Sequence, residues 1–135
     1  MQNSLGLRKL VDLERNLLEQ LKQEIHYPVY ERMPVDTEGS LPYVVLGKLS
    51  AFTDASKTTN GDVVTQVVNI YSNADDKQEC LRIGEKVEHA LTQRGFAINQ
   101  VGVWDIFVRR IEVEEIESTL RMKLNVIIKI DWRDE

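Results

Sequence analysis

The chain has 135 residues, 42% of them apolar and 29% charged, with a formal charge of −5 at pH 7, which fits one domain large enough for a real core. This composition excludes a disordered chain, and no apolar run approaches the about 20 residues that a transmembrane helix needs. The acidic balance argues against a protein that grips phosphate backbones with clustered Lys and Arg, though not against one that surrounds nucleic acid without holding it.

The single cysteine, Cys80, has no internal partner and is compatible with a reducing compartment. Residues 1–10 do not read as a signal peptide, because charges interrupt their apolar pattern and no small-residue cleavage site follows. No linker composition and no solenoid-period repeat appears, so residues 1–135 are expected to form a single domain.

The first predicted element is a helix from Ser4 to His26. Leu7, Leu10, Val11, Leu17, Leu18, Leu21 and Ile25 recur at helical spacing, and Arg8, Lys9, Arg15, Glu19, Lys22 and Glu24 fill much of the other side. Ser4 can cap it and Pro28 is expected to end it. A short extended piece, Val29–Met33, and a polar loop, Pro34–Ser40, come next. A strand is predicted from Pro42 to about Thr53, where Tyr43, Val44, Val45 and Leu46 are bulky and β-prone. After the loop Asp54–Thr59, the pair Asn60-Gly61 reads as a hairpin signal, because both residues tolerate positive φ. The returning strand, Asp62–Ser72, is apolar on both faces and reads as a covered central strand.

A second helix is predicted from Ala74 to Arg94. Asn73 is its expected N-cap, Asp75 and Asp76 suit its positive end, and Arg94-Gly95 suits the other. Cys80, Leu81, Gly84, Val87, Ala90 and Leu91 are its expected buried stripe. Two long strands close the chain. The last alternates cleanly through Leu120, Met122, Leu124, Val126, Ile128, Ile130 and Trp132, and Val101–Val113 is its expected partner. The reading is an α+β fold of order α-β-β-β-α-β-β, a mostly antiparallel β-sheet packed against two helices, with a long C-terminal β-hairpin. Such strands, at about 3.3 Å per residue, exceed the usual strand by a factor of two or more, so the hairpin is expected either to bend at a bulge or to project. Its tip, Glu112–Glu117, concentrates acids between Arg109, Arg110, Arg121 and Lys123.

No motif for chemistry stands out. His26, His89 and Cys80 lack the short spacings of a zinc set. Cys80 falls on a buried stripe, where a thiol is expected to be inert. There is no Gly-x-Ser-x-Gly elbow, no glycine-rich phosphate loop and no aromatic-and-basic motif for nucleic acid. No catalytic, cofactor-binding or metal residue is therefore assigned, no cofactor is expected, and the chain is read as a non-enzyme.

One block carries a resemblance. Leu41-Pro42-Tyr43-Val44-Val45-Leu46-Gly47, then Thr53-Asp54, Asn60-Gly61-Asp62, then Val67-Val68-Asn69-Ile70-Tyr71-Ser72, and a helix ending Val87-Glu88-His89-Ala90-Leu91, resembles the tail-completion proteins of long-tailed, siphovirus-type bacteriophages, also called tail terminator or tail-to-head joining proteins. The long final hairpin is a departure from that pattern. The resemblance implies a virion protein of the tail and neck, made and assembled in the bacterial host cytoplasm. It would cap the tail tube as a ring, often of six subunits, and join the tail to the head connector. Its implied partners are copies of itself, the tail tube protein and a head connector or stopper protein. DNA would pass through the lumen without specific binding, with no cofactor and no membrane. Isolated chains could be monomers. An acidic chain suits such a lumen.

The expected contact residues are Asp54, Lys57 and Asn60 in the first loop and Arg109, Arg110, Glu112, Glu114, Glu115, Glu117 and Arg121 around the hairpin tip. The alternative is a small homodimeric α+β binding or regulatory module unrelated to virions, pairing through an edge strand. An enzyme using spatially assembled carboxylates is the third reading, for which an acidic pocket would be needed.

Overall fold

A computed structural model describes residues 7–35, 41–54, 61–93 and 102–131. The chain runs α1 (Leu7–Glu24), β1 (Val29–Tyr30), β2 (Tyr43–Asp54), β3 (Gly61–Asn73), α2 (Lys77–Thr92), β4 (Val103–Ile116) and β5 (Thr119–Asp131). This is the α-β-β-β-α-β-β order of an α+β fold. The five strands form one sheet in the order β1-β2-β3-β5-β4. All pairings are antiparallel except β1 with β2, where Val29 lies opposite Val44.

β3 is central and β4 is an edge. The even positions of β5, from Leu120 to Ile130, join Val64, Val68 and Ile70 of β3 beneath the helices. From α2 the core receives Cys80, Ile83, Gly84, Val87, Ala90 and Leu91. Leu81, expected in that stripe, is 41% exposed, and Ile83 takes its place in the core. The geometry explains the exchange, since 83, 87 and 90 fall on one face and 81 falls about 160° around the helix from 83.

α2 begins later than expected. Its N-cap is Asp76, whose side chain accepts from Glu79 N at 3.0 Å. Asn73 instead accepts from Asp75 N at 2.9 Å, an Asx turn that leads out of β3. Ser72, fully buried, donates to Glu79 at 3.0 Å and ties the first turn of α2 to the sheet. The expected caps Ser4 and Arg94-Gly95 lie outside the described residues.

α1 packs on β1 and α2. Leu13, Leu17 and Leu21 are its buried line. Leu7 and Val11, expected among them, are 75% and 62% exposed. With 3.6 residues per turn, the series Leu7, Val11, Leu18 lies about 100° around the helix from Leu17. α1 thus carries two apolar stripes; the core takes one, and of the other Leu18 packs partly against it while Leu7 and Val11 stay exposed. Its last turn gives way at Ile25, whose N donates to Leu21 O at 2.9 Å, three residues before Pro28.

The Asn60-Gly61 pair is not a two-residue hairpin turn. Gly61 is already a ladder residue opposite Asp54 and Asp131, so residues 55–60, which lie outside the described residues, complete the connection. The tight turn is at the other hairpin. Glu117 and Ser118 have φ of 48° and 70°, the paired left-handed conformations that suit the twist of two antiparallel strands. Glu112–Ile116 are therefore strand residues of β4.

Nor does the long hairpin project from the sheet. β3 pairs with β5 from Gly61–Asp131 to Asn73–Thr119, so the sheet is as long as the hairpin. The Ser118 carbonyl also accepts from Ala74 N at 3.1 Å, which fastens the turn to the segment before α2. β4 absorbs its extra length in register shifts between Val103 and Asp105 and between Val108 and Arg110.

Candidate functional site

The expected contact residues do not form one site: Asp54 lies at one end of the sheet, the hairpin turn lies at the other, and Arg109 and Arg110 lie midway, Arg110 opposite Asn125, which pairs with Val67 at the middle of β3. Asp54 ends β2 beside Gly61, while Lys57 and Asn60 lie outside the described residues. The hairpin turn lies at the Asn73 end of β3. The thirteen residues of β3, at about 3.3 Å each, hold these ends roughly 40 Å apart. Whatever the two elements touch, they touch at different poles of the molecule.

Residues directly opposite on neighbouring strands share a sheet face. Glu112 faces Lys123, Glu114 faces Arg121 and Arg110 faces Asn125, all on the face away from the helices. Arg110 pairs with Glu112 at 2.7 Å, and Arg121 pairs with Glu114. The acidic tip is thus partly neutralised by its own arginines. Glu115 lies opposite Leu120 on the helix side, Arg109 is the extra residue at the second register shift, and Glu117 is in the turn. All three are exposed.

On the open face, Lys48, Arg109, Arg110 and Lys123 surround a hollow of about 310 Å³ floored by Val67 and Ile127. Lys129 lies 5.7 Å above the Phe107 ring, a cation–π distance. Tyr30, Tyr43 and Tyr71 stack at 5.8 and 5.2 Å between centroids on the β1 side of the sheet.

The helix face shows a second hollow that sequence reasoning missed. α2 and the edge strand β4 leave a groove of about 380 Å³ between them. Gly84, Met122 and Leu124 form its floor, Leu81 and Ile111 its apolar lips. Leu81, Ile111 and Val113 are 41%, 56% and 38% exposed. Glu85 and Glu88 stand on the α2 rim with Arg82. The signal that could have found it was the apolar residues of β4 beyond what one helix can cover. An unpaired, apolar edge strand is a surface that soluble chains ordinarily blunt.

Among the described residues, no group of three or more His, Cys, Asp or Glu could hold a metal ion, and no helix is long and apolar enough to cross a membrane. Cys80 is fully buried, and burial, then the nearby Glu79, pushes its thiol pKa up. That is the opposite of an activated nucleophile.

Residues 17–131 match the sequence profile of a family described as tail completion protein gp17. No curated protein matches the sequence. Among solved structures, a chain from the virion of a native gene transfer agent particle superposes with a TM-score of 0.72 at 19% identity, covering 88% of this chain and 94% of that one. The gp17 protein of bacteriophage SPP1 gives a TM-score of 0.50 at 16% identity, covering 96% of this chain and 94% of that one.

Proposed function

The chain belongs to the family of tail completion protein gp17, a family of virion tail structural proteins, and on that premise we propose that it caps the end of a phage tail tube and joins the tail to the head connector. The family match over residues 17–131 is the observation that carries this reading. The fold supports it by separating two polar ends. The strand ends Asp54 and Gly61 stand at one pole and the Glu117-Ser118 turn at the other, roughly 40 Å away. A subunit set with its strands along the tail axis would offer one pole to the tail tube protein and the other to a head connector or stopper.

The sides of the sheet would then face neighbouring copies. Copies related head-to-tail by a rotation close into a ring, proposed here as a hexamer. DNA would pass through its lumen, and the net charge of −5 favours passage over binding. The role calls for no catalysis and no cofactor. Its physical requirement is a set of surfaces that stay soluble in a lone chain and lock when several copies meet a template. Gold-labelled antibody against this chain should decorate intact particles at the head–tail joint. Label at the distal tail tip, or no label on particles that contain the joint, would refute the reading.

A further inference from the structure

We propose that the exposed Leu7–Val11 ridge of α1 in one copy seats in the groove between α2 and β4 of the next copy, a contact that rests on the ring reading above and names the surfaces that build it. Both surfaces are apolar and unpartnered among the described residues. Leu7 and Val11 are 75% and 62% exposed, one helical turn apart on the same face. The groove presents Leu81, Ile111, Met122 and Leu124 to receive them. Its volume of about 380 Å³ lies in the range of sites that enclose small apolar groups.

Topology says why the occupant is a second copy. α1 packs on β1 and α2, while β4 forms the other edge of the sheet. The ridge therefore belongs to one flank of the helical layer and the groove to the opposite flank. A chain cannot fill its own groove with its own ridge, but copies in head-to-tail order can fill one another's. A ridge and a groove that differ in shape make a heterologous contact, the type that a ring requires, whereas a two-fold dimer pairs like with like.

The rim of the groove is charged, with Glu85 and Glu88 standing on α2 beside Arg82. An amphipathic helix laid in an apolar groove with a charged rim is an established recognition mode. The patch is small, so a single contact should be weak. Several contacts in a closed ring on a tail-tube template would hold through effective concentration.

The test is oxidative cross-linking of a Val11→Cys/Ile111→Cys double variant in particles assembled in cells. Both positions are exposed, so the fold should tolerate them, and Cys80 is fully buried and out of reach. The expected result is a ladder of covalent oligomers that neither single variant gives. A second variant, Leu7→Glu/Val11→Glu, should keep the circular dichroism and melting temperature of the parent yet enter particles at least tenfold less. Particles that hold the chain as a ring at the joint, but give no ladder above the single-variant controls, overturn the docking and leave the virion role standing. A chain absent from particles overturns both.

Discussion

Gln66 offers a sharp test of the packing account. It lies in the central strand with no exposure. Its Nε2 donates to the Val67 carbonyl at 2.8 Å and the Gly47 carbonyl at 3.2 Å, with the Lys48 carbonyl at 3.5 Å. Gly47 and Lys48 occupy the register shift between Leu46 and Leu49, where the β2–β3 ladder cannot serve them. The amide is therefore the plug of a β-bulge, and that bulge sets Lys48 beside the open-face hollow.

Gln66→Leu keeps the volume and removes the donor. A buried acceptor left unpaired costs about 1–3 kcal/mol. Part of that is recovered, because Gln66 Oε1 is itself buried without a partner among the described residues. The net loss should be about 1–2 kcal/mol. Gln66→Glu is the harsher change, since a carboxylate would face carbonyl oxygens in a dry site. An uncompensated buried charge costs about 3–5 kcal/mol. The group would escape by holding its proton, so its folded pKa rises above the unfolded value near 4.3. A raised acid pKa gives stability that is full below the unfolded value and lost as pH rises, so the deficit should shrink on acidification. Urea unfolding with a fixed m-value measures each step. A Gln66→Glu protein within about 1 kcal/mol of the parent at pH 7 would refute the plug.

Glu114→Lys/Glu115→Lys should leave the melting temperature nearly unchanged, because exposed ion pairs such as Glu114–Arg121 contribute about 0–1 kcal/mol, yet should block tail–head joining; normal yields of infectious particles would count against a docking role for the hairpin end. Gly84→Ala places a Cβ 2.5 Å from Met122 Sδ and 3.2 Å from its Cε, but that side chain is flexible and lies on the floor of an open groove. Its displacement, about 1–3 kcal/mol, is offset by about 1 kcal/mol of helix propensity, so chemical unfolding should show a net loss of about 0–2 kcal/mol. Glu14 has its pKa raised by burial and then by Glu31. Its ionisation therefore weakens the fold as pH climbs above the ordinary value of 4.5. Glu14→Gln should be the more stable form at pH 7, with the advantage vanishing below that value; an advantage that persists at pH 3 in thermal melts would contradict the assignment.

The element order was legible because each element advertises its period. β5 alternates without a break, and β3 is apolar on both faces because it is central. Faces of helices were harder. Leu7 and Val11 fit the helical spacing as well as Leu13 does, and only the position of α1 at the edge of the layer decides which stripe the core takes. Asp76 rather than Asn73 caps α2 because an Asx turn and a link to Ser118 come first, neither of which spacing can show. The acidic hairpin end was visible in the sequence. Its neutralisation by Arg110 and Arg121 was not, because register across strands sets those pairs. Gln66 was invisible for the same reason, since its role depends on a bulge in another strand. The virion family was legible through the Leu41–Leu91 block, whereas the groove depends on two elements that meet only in the fold.

The most direct measurement of the central claim is electron microscopy of lysates from a deletion of this gene, with and without the intact gene restored. The account predicts full heads and completed tails that stay apart, and joined particles on restoration. Normal joined particles from the deletion would contradict it.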